Sequence, residues 1–353
     1  MTNMQSQFLL TKQHTAVLKG LAIIMMIFHH VNIHMVTLSY PLEYPPVYEC
    51  LGRDAKACIA LFAFVTGYGY FFISQKATSR TEAWWHCISR FYPRFLGVYA
   101  LMVLLSLLFP VGSLQPHSGS QYVLGALGVC DVFYDFWYIG FYLLATCLIL
   151  PLMFSGDKSH RGFLGIFLAV VIMAAAYISG GNLGAILWHL GMHSELNVSI
   201  VSFWQETPFH ASFVWMPFLF IGWFAAALFV QERLRNALML LVSLGFALSF
   251  DTCYTGILAA SLLLSIIFCK FTKRAAACLS ALGAASAYMW LNHRLIFGYW
   301  FADVCYSYPP PINFLIVVPL SYLLALAMQV CIEWGFRRGR LWFACLKNVL
   351  KKC

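Results

Sequence analysis

About ten windows of this chain are long and apolar enough to cross a lipid bilayer. They begin near Ala16, Ala57, Phe95, Phe136, Gly162, Phe213, Asn236, Gly256, Ser280 and Ile312. No other feature limits the fold as strongly. Hydrocarbon offers no partner to a backbone N–H or C=O, so each window must satisfy its own, and windows of this length do so as helices. The expected fold is all-α: a polytopic integral membrane protein of about ten transmembrane helices. The windows from Asn236 and Gly256 are short, with Asp251 between them, and read as a tight helical hairpin. The stretch from Gly180 to Pro208 is rich in Gly, His and Trp and suits a re-entrant or surface helix. Composition agrees. Of 353 residues, 61% are hydrophobic and 10% charged, against about 25% charged in a soluble domain. The N-terminus lacks a short apolar region followed by a small-residue cleavage site, so the first helix is expected to insert and stay. No soluble domain is expected, and residues 1–353 read as a single membrane-embedded domain.

The basic residues set the direction. Of the 22 Lys and Arg, all except Arg53, Lys56 and Arg294 fall in one alternating set of segments. The opposite set carries most of the acids: Glu43, Glu49, Asp54, Asp131, Asp135, Glu195, Glu206, Asp251 and Asp303. Cytoplasmic loops are the Lys/Arg-rich ones, so both termini are expected in the cytoplasm, with the chain passing many times through a plasma (inner) membrane. The net charge of +9 then reflects topology, and no nucleic-acid partner is expected.

Within the first window, Lys19 and His30 are eleven positions apart. At 1.5 Å per residue they lie ~16 Å apart along a helix axis. With Lys19 at the membrane surface, His30 sits near the middle of a ~30 Å hydrocarbon core. An ionisable group at that depth is costly and marks a functional site by default. The plainer reading is a buried histidine satisfied by neighbouring helices. His30 and His34 share a helix face, as do His189 and His193, and such pairs can bind metal. No metal site is expected, because the one His-His doublet lies at mid-membrane and His34, His189 and His193 face outward in this topology.

Two further clusters stand out. Phe62 to Tyr70 in the second window contains Thr66, Gly67, Tyr68 and Gly69; small residues permit close helix crossings and Thr66 can bond across helices. Arg90-Phe91-Tyr92-Pro93-Arg94-Phe95 lies on the cytoplasmic side, where Pro93 suits the start of the third helix. Its arginines serve as a positive-inside anchor or as a site for a phosphate-bearing ligand, since the guanidinium fork matches phosphate oxygens.

Taken in order, these stretches resemble acyltransferase family 3, membrane proteins that acylate glycans and other hydroxyl-bearing molecules. The resemblance is carried by Lys19 and His30, by Phe62 to Gly67, by Arg90 to Arg94, by Phe136-Trp137-Tyr138, and by Tyr288-Met289-Trp290-Leu291-Asn292-His293. Thr66 stands where the family has Ser and Lys19 where it has Arg, which keeps a hydroxyl and a positive charge. The resemblance implies an acyl-CoA donor, usually acetyl-CoA, that reaches the site from the cytoplasm as a co-substrate, with no permanently bound cofactor. The acceptor is a hydroxyl on a cell-surface or lipid-linked glycan. It implies His30 and Lys19 as catalytic residues and Arg90 and Arg94 as donor-binding residues.

The chemistry suits these residues. A thioester is already activated, so the protein needs a base for the acceptor hydroxyl and correct positioning. Burial favours the neutral imidazole, the form that accepts a proton. A covalent acyl-histidine is the other route open to His30. Asp131, Asp135, Trp137 and Tyr138, with His293 and Arg294, are the candidate acceptor-binding residues; an aromatic interface belt also accounts for Trp137 and Tyr138. Thr66, Gly67 and Tyr68 are assigned to helix packing and lining of the site. The alternative class is a transporter or translocator of a lipid-linked sugar or small molecule, since buried charges also mark substrate paths. The paired interrupted helices common to transporter halves are not visible in the sequence.

Overall fold

The computed structural model describes residues 10–37, 46–111, 114–129, 132–133, 136–153, 208–227 and 271–350. Among them there are helices and no strand. In chain order these are α1 (Lys12–Thr37), α2 (Pro46–Asp54), α3 (Ala57–Lys76), α4 (Arg80–Leu108), α5 (Gly119–Ala126), α6 (Trp137–Leu144) and α7 (Leu150–Met153). After them come α8 (Pro208–Ala227), α9 (Lys273–Arg294), α10 (Ala302–Tyr306) and α11 (Pro310–Leu350). π-Helical turns at Ala145–Ile149 and Leu295–Trp300 link α6 to α7 and follow α9. Such turns are frequent at functional sites. Among the described residues, four stretches are long and apolar enough to cross a membrane: Lys12–Asn32, Cys50–Lys76, Arg80–Leu108 and Pro310–Gly335. The windows expected near Gly162, Asn236 and Gly256 lie outside the described residues, as does the stretch from Gly180 to Pro208 up to its last residue.

One boundary differs from expectation. The third helix does not begin at Pro93 but thirteen residues earlier, leaving Pro93 inside α4. The reason is a cap. The Ser79 side chain accepts from the Glu82 N–H at 3.1 Å. The Glu82 carboxylate accepts from the Thr78 N–H and hydroxyl at 2.7 and 2.6 Å. Ser-x-x-Glu is a helix-start signal that outweighs the proline. Arg90 and Arg94 thus sit well inside a long helix, not at its first turn.

Two close crossings hold the core. α1 and α9 cross where a side chain on Gly20 would run into the Leu279 backbone, and one on Gly283 into the Ala16 backbone. α3 and α8 cross in the same way, Gly67 against the Leu219 backbone and Gly222 against that of Phe64. Small residues at such points let backbones approach, and close packing replaces the hydrophobic drive that lipid cannot supply. Gly67 thus stands at a close helix crossing. α1 and α9 run parallel: beyond the Gly20 crossing, the ring of His30 meets that of His293. α3 runs back alongside α1. Tyr68 donates to the Leu10 carbonyl and accepts from its N–H, both at 2.9 Å, so Tyr68 pins the residues preceding α1. At the other end His29 Nδ1 lies 2.7 Å from the Gly52 carbonyl on α2.

Candidate active site

α1 presents Lys19 and His30 to one cavity. Eleven positions are nearly three whole turns at 3.6 residues per turn, so Lys19 and His30 point to the same side. They line a cavity of about 220 Å³ with Cys58, Phe62 and Thr66 of α3, Tyr138 and Tyr142 of α6, and Trp290 of α9. The wall is mostly apolar, and the polar groups facing it are few. The Thr66 hydroxyl donates to the Phe62 carbonyl at 2.8 Å and faces Tyr138 across the cavity. Tyr138 also packs against Trp290, ring centroids 5.4 Å apart and nearly perpendicular. Tyr142 donates to the Cys87 carbonyl at 3.0 Å, tying α6 to α4.

The cavity continues toward the Lys- and Arg-rich end. A second space of about 180 Å³ shares Lys19, Thr66 and Tyr142 with the first and adds His86 and Arg90. A third of about 470 Å³ shares His86 and Arg90 with the second and adds Lys12, Lys76 and Glu82. The positive side chains of α1, α3 and α4 thus collect at one end of a chain of adjoining spaces, and His30 stands at the other.

His30 is held from α9. Its Nδ1 lies 2.6 Å from Nε2 of His293, and Nδ1 of His293 lies 2.6 Å from the Trp290 carbonyl oxygen. The two rings are almost coplanar, 12° apart, with centroids at 4.9 Å. With nitrogens at 2.6 Å, that separation leaves room only for the two ring radii, so the rings meet edge to edge. His29, one position before His30, lines the same cavity while its ring bonds α2.

Other candidates are distributed as follows. Arg90 faces the cavities, but Arg94 does not: its guanidinium is 3.8 Å from the Glu333 carboxylate on α11 and half exposed. Tyr138 and Thr66 line the site, and Tyr68 bonds the chain before α1. His293, read as acceptor-side, is buried and bonded to His30. Arg294 is buried beside Gly298 of the following π turn. Asp131, Asp135, His189 and His193 lie outside the described residues, as do the side chains of His34 and Trp137. Among the described residues no cluster of three or more His, Cys, Asp or Glu could hold a metal. The Trp290 carbonyl and the lining Tyr142 were not singled out from sequence. A backbone oxygen leaves no trace in residue type, and Tyr142 reads as one aromatic among many.

A search of curated proteins and a search of solved structures each returned no match. A family model described as an acyltransferase domain matches residues 16–330. That span runs from the first turns of α1 far into α11 and takes in every residue placed around His30, so the chain belongs to acyltransferase family 3, as a membrane acyltransferase.

Proposed function

We propose that this protein is an O-acyltransferase of the plasma (inner) membrane with about ten spans and both termini in the cytoplasm. It moves an acyl group, acetyl in the simplest case, from cytoplasmic acyl-CoA to a hydroxyl of a cell-surface or lipid-linked glycan. One observation supports this reading above others: the adjoining spaces that join Arg90, Lys76 and Lys12 to His30 past Lys19. The basic end suits the phosphates of CoA. The narrow apolar stretch suits its thin pantetheine arm. In the reaction His30 takes the proton of the acceptor hydroxyl. The oxygen attacks the thioester carbonyl, an ester C–O bond forms and the C–S bond breaks. The proton on His30 passes to the sulfur, and CoA leaves as the free thiol. Lys19, on the approach, helps hold the anionic donor. The acceptor comes from the opposite side of the membrane, where Asp131, Asp135, His189 and His193 are read to lie.

The test is incubation of the purified protein in nanodiscs with labelled acetyl-CoA and a membrane glycan fraction. Thiol release coupled to ester-linked label is the expected result. Release of neither thiol nor label, with protein shown to be folded, would overturn the reading.

The two arginines offer a sharper check. Arg90→Ala is expected to raise the KM for acyl-CoA about ten- to a hundredfold. That is the worth of a hydrogen bond to a charged group, about 1.5–3 kcal/mol. Arg94→Ala should move it less than about threefold, because a half-exposed ion pair contributes little. Equal effects of the two changes would show that the cavity does not mark the donor path.

A further inference from the structure

We propose that His293 is a positioning residue that fixes which nitrogen of His30 carries a proton, leaving Nε2 of His30 as the one that accepts. The inference rests on the reading of His30 as the base. It follows from two hydrogen bonds in series. A carbonyl oxygen only accepts, so the nitrogen of His293 that faces Trp290, Nδ1, carries its hydrogen. A neutral imidazole has one N–H and one lone pair, so Nε2 of His293 holds the lone pair. That atom is the one 2.6 Å from Nδ1 of His30. His30 must therefore supply the hydrogen between them, and its own lone pair falls on Nε2. The hydrogen bond made by one ring nitrogen sets the state of the other.

The geometry serves this purpose. An imidazole lone pair lies in the ring plane, and the two rings are within 12° of coplanar, so hydrogen and lone pair point at each other. The anchor is internal to α9: Trp290 and His293 are three residues apart, and the bond between them turns the His293 ring back along its own helix. Asn292, the neighbour of His293, donates to the Ser321 carbonyl of α11 at 3.1 Å and steadies that turn. A neutral imidazole without such a partner exchanges between its two tautomers, and in one of them the nitrogen needed for proton abstraction is blocked. When His30 takes the acceptor proton, the resulting imidazolium still donates through Nδ1 to His293. The bond then becomes charge-assisted and stronger, so the arrangement favours the state in which the acceptor oxygen is developing charge. In a serine-protease triad, holding the histidine in the wrong tautomer costs about 10⁴ in kcat.

The experiment reads the tautomer directly. Protein labelled with ¹³C,¹⁵N-histidine is reconstituted in nanodiscs without substrate, and the His30 signals are identified by their loss in His30→Gln. Shifts of an imidazole protonated at Nδ1 and bare at Nε2 are expected. In His293→Phe, which keeps a flat ring and removes the acceptor, the Nε2-protonated form should appear. The kcat of this variant should fall about a hundred- to a thousandfold while the KM for acyl-CoA stays within about threefold. His293→Gln places a side-chain carbonyl where it can accept from Nδ1 of His30. It should restore the wild-type tautomer and recover at least about tenfold in kcat over the phenylalanine variant. An Nε2-protonated His30 in the wild type would overturn the proposal. So would an unchanged tautomer in His293→Phe, or a folded His293→Gln no better than the phenylalanine variant in both readouts. Full activity in His30→Gln would instead defeat the reading of His30 as base. The tautomer measurement needs no turnover and separates the two failures.

Discussion

Replacing His30 by alanine is expected to reduce acyl transfer to background while the protein still inserts, folds and is recovered in normal yield. The side chain is only partly buried against a cavity, so its removal enlarges a space that already exists and leaves the packed Gly20–Leu279 crossing untouched. Loss of a positioned general base costs typically 10²–10⁴-fold. With the neighbouring rings of His29 and His293 each committed to a backbone carbonyl, the upper end is expected. His29→Ala should cost far less, since that ring donates to a backbone carbonyl on α2 and has no part in the proposed proton transfer. Thiol release from acetyl-CoA, assayed with and without acceptor, measures both. An active His30→Ala beside an inactive His29→Ala would assign the base to the wrong ring.

The second large effect comes from a residue that touches no substrate. Gly283→Leu, or Gly20→Leu, is expected to cut activity a hundredfold or more and to lower the midpoint of thermal inactivation. A side chain at either position meets the opposing backbone, which cannot rotate away as a side chain can. α1 and α9 must then separate. Overpacking alone costs about 1–3 kcal/mol, but the catalytic penalty is larger, because the same two helices carry His30 and His293. A misplacement of about 1 Å in a reacting array can cost 10²-fold. Gly335→Ala on α11 is the control: a Cβ there has nothing within 4 Å, and near-wild-type activity is expected. If Gly283→Leu kept full activity, the α1–α9 crossing would not be what holds the two histidines together.

What was legible in the sequence is what a single helix dictates. Lys19 and His30 share a face and a cavity because helical rise and twist are fixed within one element. The close crossing at Gly67 was legible because small residues have one main use inside a membrane. Partners across helices were not. Nothing near His293 in the sequence says that it meets His30, for the pairing of α1 with α9 is decided by packing over a separation of 263 positions. Arg90 and Arg94 looked alike for a similar reason. A four-residue step turns the helix by only about 40°, and what lies on either side of that face, cavity for one and Glu333 for the other, belongs to the tertiary fold. The start of α4 is legible in Ser79 and Glu82, whose cap sets the helix end thirteen residues before Pro93.

The long separation between the two histidines also sets a timetable. Transmembrane helices first insert and then associate, and a ribosome adds roughly 5–20 residues each second. Between the emergence of His30 and that of His293, 263 positions later, roughly 13–50 s pass at that pace. Throughout that interval α1 stands in the bilayer without α9. No nascent or prematurely ended chain that stops short of α9 can complete the pair, so on the roles proposed for the two histidines a half-made copy lacks the partner that fixes the His30 tautomer. Quality control of this enzyme is thereby written into the order in which its helices are born.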